Sequence, residues 1–207
     1  MSKPVDAFVK FVQGRNPLFT RKRSAGGNLP LKHLPERPPT AAAQKKLEVL
    51  LDGASPELLE LYRHFDGGRY FADAKDIEQS FYFIPIGEMK TAKRELEDWL
   101  FMHPEAADEY SEEKDEEGRP CLLGPPPWWK SAVVFAGFGY APERLYLTPE
   151  GKHAGKVFLY DHDSDSSICI APSVNKLLFE LCTNSAAFLQ RYGTGFFDLQ
   201  EYRADAP

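Results

Sequence analysis

The chain has 207 residues, 43% of them apolar and 27% charged, with a net charge of −6, which supports one good-sized core and excludes a disordered or fibrous chain. Its longest apolar run, 132–141, is about half of the roughly 20 residues a membrane helix needs, and the opening MSKPVDAFVKFVQ carries charges inside its apolar pattern, unlike a secretory leader. Cys121, Cys169 and Cys182 form no CxxC pair, so free thiols and a cytoplasmic location are expected.

In chain order, Val5, Phe8, Val9 and Val12 mark one face of a short helix ending near Gly14. From Arg15 to Pro39 the composition shifts to Arg, Lys, Gly and Pro, which predicts an extended arm. Its Arg21-Lys22-Arg23 run, without interleaved aromatics, is a weak nucleic-acid signal. Thr40 caps a helix carrying Leu47, Leu50 and Leu51. Ser55 caps the next, with Pro56 at its first position and Leu58, Leu61, Tyr62 and Phe65 as the buried stripe. Gly67 and Gly68 supply the left-handed residue that ends such a helix.

Phe81 to Ile86 reads as a strand and 88–103 as a helix, and the acidic stretch 104–118 reads as a mobile insertion. Pro125-Pro126-Pro127 favours polyproline II. If that extension continues, Trp128 and Trp129 point in opposite directions, one into the core and one outward as a binding anchor. Strands follow at 131–140, 144–148, 156–160 and 168–171, with an acidic turn at 161–167. Their links are shorter than the dozen or more residues a parallel crossover needs, so an antiparallel meander is expected. Ser173 caps a helix with Val174, Leu177, Leu178 and Leu181 on one face, and 183–192 is a last short helix. The fold class is therefore α+β, an antiparallel meander sheet of about five to six strands with helices packed before and after it. The expected organisation is an N-terminal helix and basic arm over 1–39, an α+β domain over 40–192 with its acidic insertion at 104–118, and a tail over 193–207.

Charge is distributed unevenly. Residues 1–40 carry eight Lys/Arg against two acids, and 104–118 carry eight acids against one Lys, a pattern that points to electrostatic contacts. Glu109, Glu112, Glu113, Asp115, Glu116 and Glu117 are candidate partner contacts, since carboxylates that imitate nucleic-acid phosphates speed association with a basic protein. Asp161, Asp163 and Asp165 are further candidates. They have the spacing of a calcium loop, but Ser166 and Pro172 stand where such a loop needs Gly and Glu. Neither His64 with Asp66 nor His162 beside two aspartates forms a recognisable catalytic arrangement, and no metal site is expected. Gly137-Phe138-Gly139 opens like a dinucleotide fingerprint, yet Pro142 replaces its third glycine.

Three segments resemble the SUKH superfamily: LLELYRHFDGG at 58–68, FIPIGEM at 83–89, and ERLYLTPEGKHAGKVFLYDHDSDSSICIAPSVNKLLFEL at 143–181. The last is the most specific, in its strand ending YDHD and the Ala-x-Ser opening of the following helix. The resemblance implies a SUKH-like α+β domain that binds protein, performs no chemistry and needs no cofactor; the short apolar runs imply no membrane. Many bacterial members are immunity proteins that neutralise a toxin, which makes a cognate toxin the expected partner, held by its active site. The alternative it implies is a regulatory scaffold or adaptor, docking through the N-terminal helix and basic arm.

Overall fold

A computed structural model describes residues 3–14, 19–22, 28–73, 76–101, 110–139, 141–193 and 199–201. Arg23 of the basic run, residues 104–109 of the acidic insertion (Glu109 among them), and 194–198 and 202–207 of the tail lie outside the described residues.

The family of antiparallel strands is the backbone of the fold. Among the described residues, nine strands form one sheet: β2 (Asn28–Pro35), β3 (Gly68–Asp73), β4 (Phe81–Phe83), β7 (Val133–Phe138), β8 (Arg144–Leu147), β9 (Val157–Asp161), β10 (Ser166–Ala171), β6 (Pro120–Leu123) and β5 (Ser111–Lys114), in that spatial order. Beyond β2, β1 (Phe19–Lys22) and β11 (Leu199–Glu201) extend it to eleven. Every pairing is antiparallel, and β7 to β10 form the expected meander. The class is α+β, with more strands than the five or six expected. Several of the additional ones come from segments whose composition hides a strand: a run interrupted by proline in β2, a run beginning with glycine in β3, and SEEK in β5. Pairing and packing outweigh composition at such positions.

The helices form where the caps and apolar periods place them. Thr40 accepts from the Ala43 amide at the start of α2 (Ala41–Leu51), Ser55 from Leu58 at α3 (Pro56–His64), and Ser173 from Lys176 at α5 (Val174–Thr183). Leu58, Leu61, Tyr62 and Phe65 are all buried. The Tyr62 hydroxyl donates to the Ile84 carbonyl at 2.5 Å and reaches that of Phe135 at 3.2 Å, tying α3 to the sheet. α4 (Met89–Leu100) buries Met89, Ala92 and Leu96, while Trp99 stays 40% exposed. α6 (Ser185–Tyr192) closes the helical layer through Phe188 and Leu189.

Two segments near the N-terminus are woven into this core. α1 (Lys3–Gln13) buries Val5, Phe8, Val9 and Val12 and packs against α5 and α3. The second half of the basic segment is β2, paired with β3 rather than left as an unpaired arm, because its alternate residues meet apolar partners: Leu31 is buried. Between Lys32↔Ala72 and Leu34↔Arg69 the register slips, so His33 faces two residues, Tyr70 and Phe71. Phe71 takes φ +56° there, and its amide approaches His33 Nδ1 at 3.4 Å.

His33 lies among the rings of Phe11, Tyr70 and Phe71. Burial pushes its pKa down to about 4. The folded chain therefore resists the proton that an unfolded histidine takes up near pH 6.5, so stability falls as pH drops from 6.5 toward 4. From that shift, His33 alone removes about 2 kcal/mol at pH 5 relative to pH 8. Thermal melts at pH 8 and pH 5 check this. His33→Gln should flatten the difference by about that amount, and an unchanged slope would show that His33 is not the titrating group.

Candidate functional site

The acidic stretch, expected to be mobile, is over its described half an ordered edge hairpin. β5 and β6 pair from Ser111↔Leu123 to Lys114↔Pro120, and the completely buried Leu122 anchors the pair to the core. Arg119 fixes the turn: its guanidinium grips the Asp115 carboxylate at 2.5 and 2.6 Å, and Asp115 also accepts from the amides of Glu117 and Arg119. These hydrogen bonds, led by that from the Arg119 side chain, hold the Asp115 carboxyl below the usual range. At the other end of β5, Glu112 takes a 2.5 Å contact from Lys152 and a 3.1 Å contact from His153. Those hydrogen bonds, Lys152 first, bring its pKa down to about 2. Asp115 and Glu112 thus brace the hairpin, whereas Glu113 and Glu116 are exposed at its outer end.

Beside that end lies a pocket of about 330 Å³ between β10 and the C-terminal helices, lined by Ile170, Lys176, Glu180, Phe188, Arg191 and Tyr192. Glu117 reaches it through an ion pair with Arg191, and Arg119 through a hydrogen bond to the Tyr192 hydroxyl. Phe179, 47% exposed on α5, lies against the Lys176 ammonium at 4.8 Å. Carboxylates, cations and aromatic rings are therefore combined on one surface. Phe179, Arg191 and Tyr192 were not singled out in the sequence, because nothing local distinguishes them from ordinary helix-face residues.

The other sequence candidates lie elsewhere. Registers Ser166↔Leu123 and Ile168↔Cys121 set the β9–β10 turn, with Asp161, Asp163 and Asp165, at the opposite end of β10 from the β5–β6 turn. The two acidic turns do not form one patch. Nor do the three aspartates converge: Asp161 caps its own turn through the Asp163 amide and Ser164 hydroxyl, Asp165 accepts from Tyr160, and Asp163 is 80% exposed. The extended geometry expected for the tryptophan pair is replaced by a turn, in which the Trp129 amide donates to Pro126 and a 3-10 helix begins at Trp129. Trp129 is 4% exposed and its indole N–H donates to Glu97 at 3.0 Å, so it is a core residue. Trp128 is half-buried against Tyr146, His153 and Phe158. Asp66 accepts from the Ile86 amide at 2.8 Å and holds the chain after α3 in place.

A second concavity, a groove of about 620 Å³, runs beside α4 and is lined by Arg69, Glu78, Tyr82, Glu95, Trp99 and Arg144. Arg69 and Arg144 both lie over the Tyr82 ring, at 5.5 and 5.8 Å, and pair with Glu78 and Glu95. The arginines are already matched by carboxylates, which leaves this groove close to neutral.

The family model of the SMI1/KNR4 family (SUKH-1) matches residues 40–180, and the chain belongs to that family. No curated protein matches the sequence significantly. Among the described residues, no helix is long and apolar enough to cross a membrane.

Proposed function

We propose that this domain acts by binding another protein and that the partner is a toxin whose active site it covers, without chemistry of its own. The observation that supports this reading best is the outer end of the β5–β6 hairpin, where exposed Glu113 and Glu116 stand beside a pocket containing Tyr192 and Phe188. Arg119 and Lys152 hold that hairpin in shape before any partner arrives, which lowers the ordering entropy that binding must overcome. Carboxylates fixed in this way speed encounter with a basic active site, while the aromatic neighbours supply apolar contact. Docking of a scaffold through the apolar face of α1 is disfavoured, because that face is buried in the core.

The test is binding to the toxin encoded beside the gene, measured at low and high salt, with the growth rescue that co-expression should give. We expect Glu113→Lys with Glu116→Lys to weaken binding at least tenfold, mainly through a slower on-rate, without changing the melting temperature. Affinity indifferent to both substitutions would remove the hairpin from the interface. No association of the wild-type pair at low salt would remove the toxin.

A further inference from the structure

We propose that Glu143, Asp161 and His162 form a divalent-cation site, independent of the partner surface. The β8–β9 register places Arg144 opposite Tyr160, so one step outward Glu143 stands opposite Asp161. Like charges directly across a ladder repel. His162 follows, with Nδ1 2.8 Å from Glu143 Oε1. One ligating atom from each of the three residues lies within 4.8 Å of the other two.

A second observation points to an ion at this place. Glu143 is 1% exposed, and its other oxygen, Oε2, is buried without a hydrogen-bond partner among the described residues. An orphaned buried carboxylate oxygen is costly, and a bound cation would satisfy it. The imidazole is also oriented for ligation. Nδ1 shares a hydrogen bond with Glu143 Oε1, and Nε2 lies 3.2 Å from the Asp163 carboxylate. With a cation bound in place of the Nδ1 proton, an Nε2–H donated to Asp163 leaves the Nδ1 lone pair to the metal, the usual arrangement behind a metal-bound histidine. Asp161 is steadied by the Asp163 amide and Ser164 hydroxyl, and Trp99 packs edge-on against His162 at 5.7 Å.

Two carboxylates and one imidazole suit zinc, with a further position open to water or to a ligand from elsewhere, and do not suit calcium, which takes oxygen ligands alone. This ligand set differs from the Asp161, Asp163 and Asp165 spacing, of which it uses only the first. Without a cation, the same geometry is a hydrogen-bonded His162–Glu143 pair.

Calorimetric titration of the full chain with zinc, and visible absorption with cobalt(II), separate the two. We expect one zinc per chain and a zinc-dependent rise in melting temperature. Glu143→Gln and His162→Gln should each lower affinity at least tenfold, and His162→Gln should abolish the cobalt bands. His162 is partly exposed, so that variant keeps the test decisive even if Glu143→Gln folds poorly. No heat and no cobalt bands would overturn the proposal, as would zinc binding with equal affinity to wild type and His162→Gln.

Discussion

Replacing Phe8 by alanine is expected to lower the free energy of unfolding by about 3–5 kcal/mol, the range for truncating a fully buried phenylalanine. Phe8 is completely buried, with its ring 5.3 Å from Tyr70 and 5.8 Å from Phe83. It joins α1 to strands β3 and β4, and its removal leaves a cavity between them. For a domain that is marginally stable, a loss of this size is a large share of the total. Urea unfolding measures it directly, and a change below about 1 kcal/mol would show that α1 is only loosely attached. Removing residues 1–39 is correspondingly a folding mutation, since it deletes both α1 and β2. Tests of the N-terminus as a docking element therefore need substitutions on the exposed face of α1, such as Lys10.

Gly67→Ala is expected to be as damaging for a different reason. Gly67 has φ +87°, and a Cβ there would lie 2.6 Å from the Phe83 carbonyl oxygen and 2.8 Å from the Pro85 nitrogen. Both are backbone atoms that cannot rotate away. Gly53 provides the control, with φ +80° and nothing within 4 Å of an added Cβ. Gly53→Ala should show the conformational penalty alone, about 1–2 kcal/mol. Gly67→Ala should lose at least about 2 kcal/mol more, through the displacement of β4. Equal losses in the two variants, read from denaturant midpoints, would show that the close approach carries no energy.

Gly67 also shows where a local reading stops. The pair at 67–68 read as the left-handed end of α3, which a sequence signal alone supports. In the fold, α3 already ends at Phe65, whose backbone is extended, and Gly67 lies where the chain passes beside β4. A local rule recognised the residue type, but the reason for it is a backbone more than a dozen residues away. The acidic stretch shows the same limit. Its charge was visible, while the hairpin depends on Arg119, Leu122 and the edge of β10, and SEEK has no strand period of its own. Trp128 and Trp129 were recognisable as important, but a turn donated by the Trp129 amide decides which way each ring points.

The α+β class, the meander from β7 to β10 and the three capped helices were legible along the chain, because they rest on short-range periods, caps and link lengths carried within a few residues, and the family was legible in the resemblance of the segments at 58–68, 83–89 and 143–181. What the chain could not show until folded is that α1 and Leu31 of β2 join the core, that the two acidic turns lie at opposite ends of β10, and that Glu143 meets Asp161 and His162. Those facts depend on strand register and on packing between residues distant in the chain, and side-chain chemistry read along the chain does not encode such distances.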